Sequence, residues 1–501
     1  MKRISVIFFT VFTAVNLYWV LSLPLLPFTD LPFHLAESFI VKNFKDGGFL
    51  FNKFYAIPSF LKSNTFYTFF CSAGIFPDVE TANRIYYALY VVILPLSLLL
   101  FIRLLNGNKS LALMSYLFVI HYSVHWGFTG YTMSVPVLFL IFSLFYLYYV
   151  RNKILYAFAI PPLLLILFTL HFQSAIFAAL IFTVMQFVYS FKRIRSWIIF
   201  FVTLFPLTVV MYLAYKVDSQ GGSSLTAFLT NYYLNDFAGS LLRRFGIFFI
   251  LDNFFLFKSA AGIVYAAFVS ASVIVIFAFC IKRFYKGPDE NLKYVFVLLT
   301  VSAACYVFLP DNINGQNIIF ERFSVIIFLL MIAASGALFP AGKNEVRAKR
   351  YVTAFVFIIV SVHSVILLDY MNDFRNESHD FNEGIFPSGR ELVLAGVIKD
   401  NDFRGRKIWT HFPMYFTVWK GGITTGLVDY KFGLIKRNTP KSILPQYKEW
   451  LDGNDFNFGS YYSAADYLIL RSEIEDTPNN FNLISASGKW KLYRNIVRTC
   501  P

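Results

Sequence analysis

Apolar runs of about twenty residues, separated by short polar turns, repeat along the first three-quarters of the chain. They cover residues 4–26, 81–102, 110–126, 132–150, 154–171, 173–190, 196–215, 259–281, 292–309, 322–340 and 351–368. Each is near the length a helix needs to cross a bilayer, so the pattern predicts about 11 transmembrane helices. Residues 27–78 break it. There the apolar patch 55–76 is interrupted by Pro58, Lys62, Ser63 and Asn64, which predicts helices lying at the membrane interface within a first outer loop.

After residue 369 the pattern changes. Residues 370–501 balance 17 Lys and Arg against 15 Asp and Glu, with turn signals at Pro387-Ser388-Gly389, Gly421-Gly422 and Asp452-Gly453. Short runs at 406–410, 467–470 and 490–494 predict strands, and residues 389–399 and 440–451 predict helices. The expected organisation is a transmembrane domain over 1–369, with its first outer loop at 27–78, and a soluble α/β domain over 370–501. The latter is large enough for a core of its own.

Composition agrees with the span pattern. Apolar residues make up 57%, charged residues 15% and aromatics 20% of the 501, and the mean hydropathy is +0.58. Soluble domains carry about 25% charged residues. The composition therefore excludes an ordinary nucleic-acid enzyme, a disordered scaffold and a secreted disulfide scaffold. The net charge of +15 is a topology signal rather than a nucleic-acid one. Loops on the N-terminal side of the alternating spans hold seventeen Lys and Arg against three acids (Asp289, Glu290, Glu345), while the turns at 121–131 and 171–173 hold no Lys or Arg. The positive-inside rule then places the N-terminus in the cytoplasm and, after eleven crossings, the C-terminal domain outside it. The expected location is a cytoplasmic (inner) membrane, crossed many times. Of the four cysteines (Cys71, Cys280, Cys305, Cys500), three lie in or beside apolar runs, where a small buried hydrophobe is the expected role.

The chemistry-bearing segment is Pro27-Phe28-Thr29-Asp30-Leu31-Pro32-Phe33-His34-Leu35-Ala36-Glu37, just beyond the first span. A helix starting at Leu31 puts His34, Glu37, Ser38, Lys42 and Lys45 on one stripe. Asp30, His34 and Glu37 are thus candidates for activating a hydroxyl or holding a cation. Asp30 is equally placed to cap the helix through the amide of Phe33, with Pro32 in the first turn, His34 an interfacial residue and Glu37 a solvated one. His121 and His125 lie four apart and, with His171, form the other candidate ligand group. Trp126 and Tyr131 are candidate sugar-stacking aromatics or interfacial belt residues.

A short Asp-x-x-x-His motif directly after the first span of a basic-start polytopic chain resembles the first outer loop of the GT-C membrane glycosyltransferases, particularly their uncharacterised bacterial members. Similar too are the turns His125-Trp126-Gly127-Phe128-Thr129-Gly130-Tyr131 and Thr169-Leu170-His171-Phe172, Glu321-Arg322-Phe323 opening a late span, and the terminal runs Asp466–Leu470 and Trp490–Arg494. The resemblance implies transfer of a sugar from a polyprenyl-phosphate-linked donor, on the outer membrane face, to a cell-envelope glycan, lipid or protein acceptor. It implies that Asp30 is the catalytic carboxylate. Membrane lipids are then partners and nucleic acid is not. Arg243, Arg244 and Arg322 are the candidates for the donor phosphate, because guanidinium groups match phosphate oxygens bidentately. Their other readings are headgroup anchors for Arg243 and Arg244 and an ion pair for Glu321-Arg322. His125, Trp126, Tyr131, His171 and Glu321 are candidate acceptor or sugar contacts. The adjacent acidic pair of better-known members is missing, since Leu31 follows Asp30, and Asp218, Asp236 and Asp252 form no second acidic motif. No metal ligands are assigned, and a divalent cation (Mg or Mn) is the one cofactor in question. Three other readings are a flippase or transporter of lipid-linked glycans, a polysaccharide polymerase or ligase, and a non-catalytic envelope assembly protein.

Overall fold

The computed structural model describes residues 2–57, 59, 62–218, 237–250, 259–284, 289–310, 312–313, 316–338, 345–390, 392–426, 433–438, 465–472 and 480–497. The chain is mostly helical, with a strand-containing C-terminal region. Among the described residues, seven helices are long and apolar enough to cross a membrane: Val79–Leu104, Thr129–Tyr149, Phe172–Ser190, Ile194–Ala214, Ala260–Ala278, Glu290–Phe308 and Arg350–Glu377. Three shorter apolar helices, Val6–Ser22, Ile154–Leu170 and Arg322–Ala337, fall on three further apolar runs without reaching that length.

The chain divides into two compact units. One comprises Met1–Tyr18, Ala88–Val124 and Gly130–Leu368; the other comprises Trp19–Tyr87, His125–Thr129 and Asp369–Pro501. The first unit holds most of the apolar helices. Many of their large side chains point outward, among them Val202 and Phe205 at 67% exposure, as a lipid-facing surface would require.

In this unit the expected helix over 110–126 is not a single α-helix. A 3-10 helix, Lys109–Phe118, is followed by the short helix Tyr122–His125. Ser110 to Phe118 are all buried, so protein rather than lipid satisfies the apolar run. Hydropathy alone does not distinguish the two. Asn108 caps its start by accepting from the amide of Ser110, and its own amide donates to the carbonyl of Gly336 at 2.9 Å. That approach needs two glycines in register, since a Cβ on Gly107 would lie 2.7 Å from the carbonyl carbon of Gly336.

The second unit is built on a five-stranded mixed sheet. Its spatial order is Phe481–Ser487, Trp490–Asn495, Tyr467–Arg471, Val393–Ile398 and Ile423–Thr424. Val393–Ile398 runs parallel to both of its neighbours, while Phe481–Ser487 and Trp490–Asn495 form an antiparallel hairpin whose second strand pairs antiparallel with Tyr467–Arg471. Two of the expected strands are present, at 467–471 and 490–495. The expected strand at 406–410 shortens to Arg406–Lys407, followed by the 3-10 helix Trp409–Met414. The helix expected over 389–399 is instead the strand Val393–Ile398, buried along its whole length. A continuous apolar run of this length suits a buried helix or a central parallel strand equally well by pattern, and only pairing on both sides decides. The helix expected over 440–451 lies outside the described residues.

The loop at 27–78 falls in this same unit. It contains the helices Leu31–Asn43, Phe51–Phe54 and Phe66–Ser72. Leu31–Asn43 packs against Phe66–Ser72, Trp409–Met414 and Tyr415–Lys420. Tyr55–Ala56 pairs antiparallel with Lys436–Arg437, and Lys62 donates to the carbonyl of Gly433. The Cys71 thiol is free and buried, and burial pushes it up to about 12, as suits an inert core thiol. Cys305 is free and half-buried. The side chains of Cys280 and Cys500 lie outside the described residues.

Candidate functional site

The second unit brings the expected acidic segment together with a residue from nearly four hundred positions later. Asp30 immediately precedes Leu31–Asn43 and takes the N-cap place, but its side chain makes no cap hydrogen bond. The expected bond from Phe33 is absent. The helix begins through the backbone instead, with the amide of His34 donating to the carbonyl of Asp30 at 3.2 Å. The carboxylate faces His411, with Oδ1 3.5 Å from Nε2. Asp30 keeps 29% of its side chain exposed and His411 only 9%. The carboxylate therefore has a histidine on one side and open space on another.

The turn at His125–Thr129 fixes the Asp30 backbone. The amide of Thr29 donates to the carbonyl of His125, and that of Asp30 to the carbonyl of Trp126, both at 3.0 Å. Gly127 makes this approach possible. Its φ is +79°, and a Cβ there would lie 2.8 Å from the amide nitrogen of Leu31 and 2.9 Å from that of Asp30. The aromatic Gly-rich turn thus serves first as a brace for the acidic segment. Gly127→Ala is expected to lower the unfolding temperature, with a cost of about 1–3 kcal/mol from backbone strain and the close contact. Differential scanning of the purified protein checks this.

His34 and Glu37 differ in use. His34 is half-buried, with its ring edge-on to Tyr67 and to Phe33. Burial lowers its pKa below the usual histidine value, against the pull of Glu37 and Asp30 and with a further push from His411. It is therefore neutral near pH 7 and can accept or donate one proton at a ring nitrogen. Glu37 is buried, not solvated, at 5% exposure. Its Oε1 accepts from the amides of Leu434 (2.7 Å) and Ile435 (3.3 Å), and Oε2 from the hydroxyl of Thr68 (3.0 Å). That carboxylate joins three segments: the helix Leu31–Asn43, the helix Phe66–Ser72 and the stretch at Leu434 and Ile435.

The first unit contains a cationic cleft. Arg322, at the start of Arg322–Leu338, is buried beside the turn at His171. Its NH1 lies 2.7 Å from Nε2 of His171 and donates to Oε1 of Gln173 at 3.1 Å. Gln173 is held in turn by its amide donating to the carbonyl of Ile319. Tyr131 lies under the guanidinium, 5.7 Å from ring centroid to Cζ, and its hydroxyl donates to the carbonyl of Arg322. Tyr131, Gln173, Ser174, Phe177, Arg322, Phe323 and Ile326 line a cleft of about 170 Å³ including its mouth. Most of that space is the open mouth, and the room inside is about that of one water. Glu321 is buried next to Arg322.

Arg243 and Arg244 do not act alike. Arg243 is exposed. Arg244 is buried, and its NH1 donates to the carbonyls of Tyr306, Val307 and Leu309 at 2.6–2.9 Å. These are the carbonyls that end helix Glu290–Phe308, so the guanidinium caps a helix terminus and its macrodipole. Its Cζ also lies 4.0 Å from the ring centroid of Phe320. Spacing placed both arginines near the outer surface, but only packing showed that one is occupied by a helix end.

Among the described residues, no three His, Cys, Asp or Glu side chains gather as metal ligands. The rings of His121 and His171 instead pack on that of Tyr131, at 6.0 and 5.2 Å. The residue that sequence reasoning missed is His411. It lies in Trp409-Thr410-His411-Phe412, with no motif spacing to Asp30, and no local signal could have found it. No protein-family model and no curated protein matches the chain.

Proposed function

We propose that the protein is a multi-pass membrane glycosyltransferase of GT-C type, moving a sugar from a polyprenyl-phosphate-linked donor to a cell-envelope acceptor. The observation that carries this reading is the Asp30 carboxylate, which is braced by the backbone of the Trp126 turn, makes no helix-cap bond, and lies partly open beside His411. An acceptor hydroxyl has a pKa far above 7, so its attack needs a positioned base. In this reaction the hydroxyl oxygen bonds to the anomeric carbon as the carbon–oxygen bond to the donor phosphate breaks. Asp30 takes the proton, and polyprenyl phosphate leaves with the electron pair. His411 and neutral His34 orient the carboxylate and the acceptor. For the donor phosphate the first unit offers Arg322, a buried guanidinium, which is worth more there than in water. No second catalytic carboxylate is required, in contrast to glycoside hydrolysis.

The reading places the N-terminus in the cytoplasm and the C-terminal domain outside an inner membrane. It keeps the Lys109–His125 segment as a crossing, because non-helical backbone is tolerated at membrane depth when wrapped in protein. A 3-10 helix rises about 2.0 Å per residue, so ten residues reach roughly 20 Å. A C-terminal alkaline phosphatase fusion is expected to be active in a bacterial host; an inactive, stably expressed fusion would reverse the orientation.

The enzymatic reading is tested by incubating the full chain, in lipid nanodiscs, with radiolabelled polyprenyl-phosphate sugars and an envelope extract. Label is expected to move from the lipid fraction into an acceptor fraction. Movement of labelled lipid between leaflets of reconstituted vesicles, with no transfer product, would replace the transferase with a transporter.

A further inference from the structure

A hydrogen-bond chain starts at the Arg322 guanidinium, and its direction follows from that donor. An arginine head has only donors, so Nε2 of His171, 2.7 Å from NH1, must be an acceptor. A neutral imidazole has one acceptor nitrogen, and the proton therefore sits on Nδ1. That nitrogen lies 3.0 Å from the hydroxyl of Ser174, to which it donates. The Ser174 amide also points at this nitrogen, from 3.3 Å, and the much shorter Arg322 contact decides which nitrogen accepts. Ser174 passes its own hydroxyl proton to the hydroxyl of Ser134 at 2.7 Å, and Ser134 donates to the carbonyl of Tyr131 at 2.7 Å. Tyr131 closes the circuit by donating to the carbonyl of Arg322.

Every member is buried. Along this chain each serine hydroxyl accepts once and donates once. Among described residues, the charged and titratable groups against His171 are Arg322 from the late helix and Tyr131 from the start of Thr129–Tyr149. Gly130 keeps the turn close, since a Cβ there would lie 2.0 Å from the carbonyl oxygen of Leu170.

We propose that His171, neutral and protonated on Nδ1, is a positioning residue that sets the Arg322 guanidinium in the cleft to receive the phosphate of the lipid donor. The proposal rests on the reading of Arg322 given above. His171 itself contacts no reacting atom. It supplies a fixed acceptor behind the guanidinium, so the head is ordered before the ligand arrives and binding need not supply that ordering.

The test measures the affinity of a polyprenyl phosphate for the full chain in nanodiscs, with the unfolding temperature of each variant recorded alongside. His171→Leu removes the acceptor and is expected to weaken binding about tenfold or more, the scale of a hydrogen bond to a charged group. His171→Gln offers an acceptor oxygen at the position of Nε2 and is expected to stay within about threefold of wild type. A purely structural role would show both variants losing unfolding temperature and affinity together. Arg322→Gln is expected to lose at least as much affinity as His171→Leu, and the double variant no more than Arg322→Gln alone, because the two act through one group. If His171→Leu binds within threefold of wild type while Arg322→Gln fails, the positioning role is wrong and the phosphate reading stands. If Arg322→Gln binds like wild type, or wild type does not bind, the phosphate reading fails and the His171 role with it. Should His171→Leu fail to fold, Ser174→Ala releases the Nδ1 proton from its acceptor and is read in its place. Its unchanged affinity would also overturn the proposal.

Discussion

Asp30→Asn is expected to lower the rate of sugar transfer by about 100-fold or more while leaving folding and donor affinity near wild type. The size follows from the loss of a general base, which contributes roughly 10²- to 10⁴-fold. The selectivity follows from the geometry. Asn is isosteric and can still face His411, but it cannot take a proton. Because the carboxylate caps nothing, the helix Leu31–Asn43 keeps its backbone-initiated start. A capping role predicts the reverse: a loss of about 1 kcal/mol on Asp30→Ala and no selective effect on the rate. Single-turnover transfer with purified variants, read beside their unfolding temperatures, separates the two. Full activity in Asp30→Asn removes Asp30 from the chemistry.

Arg471→Met is expected to destabilise the C-terminal sheet by about 3 kcal/mol, at the low end for breaking a buried ion pair. Arg471 is 1% exposed at its side chain and reaches both Glu377 (2.6 Å) and Asp400 (2.5 Å). Its guanidinium Cζ lies 4.3 Å from the ring centroid of Trp409 and 5.6 Å from that of Trp490. Burial alone would raise the carboxyl of Asp400. Lys489 and Arg471 outweigh it and hold the group below the usual carboxylate range. After Arg471→Met the two acids would share only Lys489, which lies 3.3 and 2.7 Å away. Their partial exposure keeps the penalty at the low end. Arg471→Lys would not restore the site, because a compact ammonium cannot lie flat between two indoles and bridge two carboxylates. Hydrogen exchange in Val393–Ile398 and Tyr467–Arg471 should rise roughly a hundredfold, as 1.4 kcal/mol corresponds to a factor of ten. Exchange unchanged in these strands would show that the ion cluster is ornamental to the fold.

Local chemistry carried much of this protein into view. The apolar runs that became the seven long helices and three shorter ones were legible because helix length and hydropathy are properties of one segment. The same holds for the change of character near residue 369, where charge balance and turn residues shift together. Asp30 and Arg322 were visible as charges standing next to apolar runs, where a charge is costly enough to need a reason.

Partners decided the rest. Val393–Ile398 became a strand because parallel neighbours claim both its edges, and Lys109–Phe118 a buried 3-10 helix because protein encloses it. Glu37 was solvated by pattern and buried in fact, since two amides and a hydroxyl from distant segments meet its carboxylate. Arg244 serves a helix end for the same kind of reason, and His411 reaches Asp30 only through the folding of the C-terminal region onto the loop after the first helix. Hydropathy and charge are written residue by residue along the chain; which donor meets which acceptor is fixed only when segments hundreds of residues apart compete for the same buried space.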